Sequence, residues 1–348
     1  MRRVPPTIVR RAVLAPLVGA LDLAVLALSP LVLMLAAVLS PLFGGTRPLR
    51  MALIAVSFAA RHLEALLALA RLWLRSGAGR RLGAEAMQDA HYDVMRRFVA
   101  GVTRAALRHA RAEVRHDESD PTHRVLAASS GRPVILLSRH AGEGDTLLVL
   151  HELLCRHGRR PRVVMHEALR LDPVIDLLGG RLPNRFVDPR GGDTEVEIAA
   201  LARSLDDRAA LVIFPEGANF TEERRRRGIE RLMERGHHRQ AEAAGAMRHV
   251  SAPRPGGALA AIDAAPGADV VIMGHVGFPA GLGEVWRLLP RHQPIEIKLW
   301  HERAEDIPRA ADERIDWLFD RWRELDEWVE QRRADPPALS GSRRSRRR

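Results

Sequence analysis

Two short stretches of the chain carry residue types suited to acid–base chemistry at the end of a strand. The first is Ser138-Arg139-His140-Ala141-Gly142-Glu143-Gly144-Asp145, which comes after the apolar run Pro133–Leu137 and leads into Thr146–Leu154. A run of that length, bounded by Gly131 and a polar turn, reads as a short buried strand. The segment Thr146–Leu154 is long and apolar enough for a helix that starts near Asp145 or Thr146. His140 then lies at the carboxyl end of a strand, where an open α/β sheet places its ligands. A histidine base needs a partner to fix its tautomer, and Asp145 can fold back across the glycine-bearing turn to supply one. Taken alone, the pair fits equally a polar strand-to-helix turn with Asp145 as an N-cap.

The second stretch is Leu211-Val212-Ile213-Phe214-Pro215-Glu216-Gly217-Ala218-Asn219-Phe220-Thr221. Pro215 cannot continue a central strand, and Gly217 permits a backbone geometry or a close approach that other residues resist. Glu216 and Asn219 therefore sit on a turn at a strand's end, as His140 does. In a parallel sheet both turns fall on one edge and face one crevice.

The elements that must hold these turns come from the apolar pattern. Strands are expected at 133–138, 162–166, 209–214, 268–273 and 295–300. Helices are expected at about 85–112, 145–157, 193–206, 221–247 and 308–333. Strands separated by helices of this length give an α/β fold with a mainly parallel central sheet flanked by helices. Three parts are expected: N-terminal membrane-associated helices over 1–82, the α/β domain over 83–335, and a disordered basic tail over 336–348, which has no apolar content beyond Leu339.

The N-terminal part stands out by composition. Between Arg11 and Arg47 there is no basic residue and one acid, Asp22, in a run long enough for a hydrocarbon core. Pro16 and Pro30 would bend a helix there, and Asp22 is costly in lipid, so an interfacial or re-entrant hairpin is as open as a span. The segment from Met51 to Leu74 has apolar residues at helical spacing interrupted by Arg61, His62, Glu64 and Arg71, and reads as amphipathic. The arginines on both flanks put the termini of this pair, and the rest of the chain, on the cytoplasmic face of the cell membrane. A buried helix pair of a soluble protein is the alternative.

The formal charge is +11, almost all of it from arginine, since Lys298 is the one lysine. That balance favours an anionic partner such as membrane lipid or a phosphorylated cofactor. Nucleic acid is not expected, because one tyrosine and scattered aromatics offer no stacking platform. A single cysteine, Cys155, excludes an internal disulfide framework and a cysteine zinc cluster. No metal site is expected, since His237, His238 and His275 have no supporting ligands at metal spacing. The segment Glu222–Arg248 holds eight arginines against five glutamates. It reads as a helix with internal ion pairs on a solvated face, or as an arm that contacts lipid headgroups or coenzyme A phosphates.

The two stretches together resemble the glycerolipid acyltransferases, which acylate lysophosphatidic acid and related acceptors. His140, four intervening residues and Asp145 match that family's first motif, and Phe214-Pro215-Glu216-Gly217 its third. The glycine–apolar–arginine motif between them is matched by Gly179 to Arg190, with Arg185 and Arg190 both eligible as its arginine. The run Val270 to Pro279 is loosely similar to the last motif. Asn219-Phe220-Thr221-Glu222 and Val250 to Gly257 are similar to the membrane-bound branch. The resemblance covers about residues 130 to 280. It implies acyl transfer from an acyl thioester, acyl-coenzyme A or acyl-carrier protein, to a hydroxyl of a lysophospholipid. The default acceptor is 1-acylglycerol-3-phosphate and the product phosphatidic acid, with no cofactor beyond the donor. It further implies His140 as general base oriented by Asp145, with Glu216, Gly217 and Asn219 shaping the acceptor site. One departure affects the acceptor: the family's Thr-Arg after Glu-Gly is Ala218-Asn219 here. Asn219 can donate a hydrogen bond but brings no charge, so Arg185, Arg190 or Arg254 would have to hold an acceptor phosphate. Two other readings remain open at this level, a lipid-ester hydrolase and a non-catalytic basic membrane-binding protein. The sequence leaves the oligomeric state undetermined.

Overall fold

A computed structural model describes residues 4–188, 192, 194–291 and 293–334. Seven strands among these residues form one sheet in the order β1-β7-β6-β2-β5-β3-β4. They are β1 (Val114–His116), β2 (Val134–Ser138), β3 (Arg160–His166), β4 (Arg185–Val187), β5 (Ala209–Ile213), β6 (Asp269–Val276) and β7 (Ile295–Glu302). All neighbours run parallel except β6 and β7. The fold is therefore the mainly parallel α/β sheet that the strand–helix alternation predicts.

The three central strands, β2, β5 and β6, are buried along their whole length, which is why their centres read as apolar runs. Alternation splits them between two cores. Ile135, Leu137, Leu211, Ile213, Val270 and Ile272 face one side, packed with Leu201 of α7 (Thr194–Arg203), Ala261 of α10 (Pro255–Ala264) and Trp322 of α11 (Ala311–Ala334). Val134, Leu136, Ala210, Val212, Val271 and Met273 face the other, packed with Leu148, Val149 and Leu153 on and just beyond α5 (Asp145–His151). Burying a side chain of this size contributes about 1.5–3 kcal/mol, so the sheet centre is the rigid platform for the loops at its edge. The register pairs Leu137 with Ile213 and Ser138 with Met273, which brings the ends of β2, β5 and β6 to one edge.

Ahead of the sheet lie α1 (Thr7–Ala27), α2 (Ser29–Leu39), α3 (Arg47–Arg75) and α4 (Glu85–Ala110). The axes of α1 and α2 meet at 57°, at the break before Pro30. The helix α3, 29 residues long, is long and apolar enough to cross a membrane. A third core joins Leu66, Leu69 and Leu72 of α3 and Val94, Met95 and Val99 of α4 to Val174 and Leu178 of α6 (Pro173–Arg181). Asp22, the acid inside the apolar run, is buried against His62 of α3 at 2.6 Å.

The structure differs from the sequence pattern in four places. The single helix expected over 221–247 is two, α8 (Glu222–Glu234) and α9 (His238–Ala246), broken where Gly236 takes φ +77°. The strand expected to stop at 273 runs on to Val276, because β7 pairs with it that far. The short strands β1 and β4 are additional, and so are α6 and α10. The tail over 336–348 lies outside the described residues.

Candidate active site

His140 is the second residue beyond β2, and its ring is held from three directions. Its Nδ1 lies 3.1 Å from Asp145 Oδ2. The ring of Phe214, at the end of β5, packs on it with centroids 4.6 Å apart. Its main chain is pinned on both sides: His140 N–H donates to Glu216 Oε1 (2.9 Å) and its carbonyl accepts from Phe220 N–H (2.8 Å). The imidazole is about one-fifth exposed, and with Nδ1 donating to the carboxylate, Nε2 is the nitrogen left to exchange a proton.

Asp145 is fully buried at the first turn of α5. It is not the N-cap, a position that Gly144 occupies. Its Oδ2 accepts from the N–H groups of Ala141 (2.7 Å) and Gly142 (3.0 Å) as well as from His140, so one carboxylate closes the turn and aims the ring. Burial alone would raise its pKa. The hydrogen bond from His140 and the backbone N–H of Gly142 outweigh that and hold the group below the usual carboxylate range. The turn requires glycine at 142, where a Cβ would stand 2.5 Å from the Pro279 carbonyl and 2.9 Å from Ala280 Cα.

Behind Asp145 stands His275 of β6, fully buried, with Nε2 3.7 Å from Asp145 Oδ2 and 3.4 Å from the Arg139 carbonyl. Burial, reinforced by the Arg139 guanidinium, pushes His275 down to about 4 and keeps it neutral. Arg139 in turn donates to the carbonyls of His275 and His249. Neither His275 nor Arg139 stands out in the sequence. Only the parallel β2–β6 pairing puts a histidine 130 positions away beside the aspartate.

Glu216 is 3 % exposed and its carboxylate points inward, bridging His140 N–H and Ser251 N–H (2.9 and 2.8 Å). Burial carries it up to about 7, against the pull of those two donors and of Arg139. Its geometric role is to tie the two strand-end turns to the segment before α10. Gly217 takes φ +72°, and a Cβ there would meet the Arg254 guanidinium at 2.9 Å. Asn219 is half-buried, and its carbonyl accepts from Arg224. Of the two described arginines read as phosphate partners, Arg254 is therefore the one beside the turn. Arg185 lies on the edge strand β4, three strands from β2, and is paired with Glu197 at 2.8 Å. The structure brings it together with none of the other described candidates. Arg190 lies outside the described residues.

A base–carboxylate pair at the strand-end edge of an α/β sheet has the geometry to accept a proton from a hydroxyl. Residues 111–273 match the family model described as Acyltransferase, a span running from β1 into β6 that includes both strand-end turns. Over this span the chain is similar to the acyltransferase family, and the matched domain supports an acyltransferase enzyme. No curated protein matches the chain.

Proposed function

We propose that the protein moves a fatty acyl group from acyl-coenzyme A to a lysophospholipid hydroxyl at the cytoplasmic face of the cell membrane, by default from 1-acylglycerol-3-phosphate to phosphatidic acid. The observation that carries this reading is the tautomer geometry. Asp145 holds Nδ1–H, and Nε2 of His140 is free to take the acceptor's proton. As the proton leaves, the hydroxyl oxygen attacks the thioester carbonyl. The tetrahedral adduct collapses with loss of the C–S bond, and the imidazolium returns its proton to the thiolate. An ester and a free thiol result. The thioester is already activated, so the enzyme needs no covalent intermediate of its own.

Two further observations support lipid substrates. Leu17, Leu21, Leu28, Leu31, Leu35 and Val38 of α1–α2 and the turn between them are all more than half exposed, an apolar face beyond what a soluble surface carries. Between α1, α3 and α6 lies an almost wholly apolar cavity of about 1010 Å³ with Arg11 and Arg181 among its lining residues, suited to an acyl chain with an anionic head. The proposed division of the chain is accordingly membrane-associated helices over 1–82 and a catalytic α/β domain over 83–335.

The test is incubation of membranes containing the protein with labelled acyl-coenzyme A and a panel of lysolipid acceptors, with the product identified by mass. Acylated lysolipid is expected, and H140A should abolish it while leaving membrane binding intact. Release of free fatty acid without acylated product, or full activity in H140A, would sink the reading.

A further inference from the structure

The arm read from the sequence as an arginine-rich solvated helix forms one wall of a second cavity. On α8 and at its C-cap, Arg224, Arg227, Arg231 and Arg235 recur at intervals of three and four, which places them on one face. That face lines a cavity of about 750 Å³ whose opposite wall is the segment Ser251 to Gly256, with Arg254 in its middle. Most arginines of α8 are satisfied within the arm. Arg225 binds Glu222, Arg226 binds Glu230, Arg227 binds Glu223, and Arg224 donates to the Asn219 carbonyl. Arg231, Arg235 and Arg254 make no ion pair or hydrogen bond through their side chains among the described residues. They are also close enough to repel. Partial desolvation, then the charges of Arg231 and Arg235, lower the pKa of Arg254, whose side chain is nonetheless exposed.

Three guanidiniums without a side-chain partner around one cavity concentrate positive charge that an anion would neutralise. Of the three acids in the same lining, Glu216 spends its oxygens on two backbone N–H groups, Glu195 lies against the start of α10 at Gly256, and Asp312 forms no ion pair with these arginines among the described residues. The cavity also communicates with the reaction centre. Arg254 covers Gly217, its backbone N–H binds the Pro215 carbonyl, and Glu216 one residue on holds His140.

We infer that Arg231, Arg235 and Arg254 form a binding site for a phosphomonoester dianion, assembled by the α8 arm in place of the charge that position 219 lacks. Guanidinium forks suit such a group, and a dianion needs more than one of them. The inference rests on the acyltransferase reading for its two possible sources. The proposed reaction contains two phosphomonoesters, the headgroup of 1-acylglycerol-3-phosphate and the 3′-phosphate of coenzyme A. Each has a counterpart that lacks the phosphate, monoacylglycerol and dephospho-coenzyme A.

The experiment uses the full-length protein in lipid nanodiscs and the variants R231Q/R235Q and R254Q, which keep side-chain volume close. KM is measured for both members of each pair. The expected result is a rise of roughly tenfold or more in KM for one phosphorylated substrate, with its phosphate-free counterpart changed less than twofold. Whichever pair shows the difference names the source. Equal shifts within both pairs, or no shift in either, would overturn the site. A second measurement does not depend on turnover: the melting temperature of the wild type should rise with adenosine 3′,5′-bisphosphate or with glycerol 3-phosphate, and that of R231Q/R235Q should not. If the wild type transfers no acyl group but still shows this stabilisation, the functional reading falls and the site stands. If transfer is normal and the variants behave as wild type in both measurements, the site falls alone.

Discussion

Asp145 performs two tasks with one oxygen, since Oδ2 accepts from the His140 ring and from two backbone N–H groups, while the buried Oδ1 has no hydrogen-bond partner among the described residues. The Asn side chain can reproduce the hydrogen bonds to Oδ2 but not the charge that stabilises the imidazolium. D145N should therefore fold and bind substrates with KM close to wild type, while kcat falls by roughly three orders of magnitude. Steady-state kinetics on purified protein would show this, and a large rise in KM with normal kcat would contradict it. His275, fully buried with Nε2 3.4 Å from the Arg139 carbonyl and 3.7 Å from Asp145 Oδ2, is expected to act as a positioning residue behind Asp145. H275L removes the donor facing Oδ2 and should lower kcat roughly tenfold at unchanged KM. H275Q, which restores a donor near the Nε2 position, should recover most of that loss. A purely structural role would instead lower the melting temperature of both variants alike with no split between kcat and KM.

At the scale of elements, the strand-end turns are fixed by Glu216, and its buried carboxyl makes that link pH-sensitive. Its folded-state pKa, about 7, lies above its ordinary 4.5. The folded state thus holds the proton more tightly than the unfolded chain, so its stabilising contribution is complete below about pH 4.5 and is lost as pH rises through about 7. E216Q cannot titrate. The melting temperature of the wild type relative to E216Q should accordingly fall by roughly 2–4 °C between pH 5 and pH 8, as read by a paired thermal scan. This link also marks how far the sequence could be read. The runs Val134–Leu137 and Ala209–Ile213 were legible because strands buried on both faces are apolar throughout, and the polar turns at their ends were legible because Pro215 and the glycines stop them. The inward turn of Glu216 was not, since its partners lie 76 and 35 residues away in the chain. Strands of three residues such as β1 and β4 have no period to detect. Gly274 and His275 interrupt the apolar run of β6, and the charge pattern of Glu222–Arg248 runs without a break across the turn at Gly236. The cluster of Arg231, Arg235 and Arg254 exists only once α8 lies opposite Ser251–Gly256.

At the scale of the whole molecule, the N-terminal helices are bonded to the catalytic domain as well as apolar on their outer face. Asp176 of α6, 1 % exposed, accepts from Arg10 at 3.0 and 3.2 Å, with Arg11 and Arg170 at 3.5 and 3.3 Å. His62 of α3 bridges Asp22 of α1 at 2.6 Å and Asp172, the N-cap of α6, at 3.5 Å. An anchor with no further role would need neither contact, since hydrophobic exposure alone would hold it in lipid. These pairs instead fix α1 and α3 at a set position on the helix that comes after β3. Removing one partner of a buried pair leaves an uncompensated charge and costs about 3–5 kcal/mol. D176A, which strands Arg10, should therefore lower the unfolding midpoint of the detergent-solubilised protein by that much while vesicle flotation stays as in the wild type. Serine substitutions at the exposed positions Leu21, Leu28 and Leu35 should do the reverse, weakening flotation with little change in midpoint. If D176A were to abolish flotation at an unchanged midpoint, the buried pair would belong to the membrane contact and not to the union of the two parts of the chain.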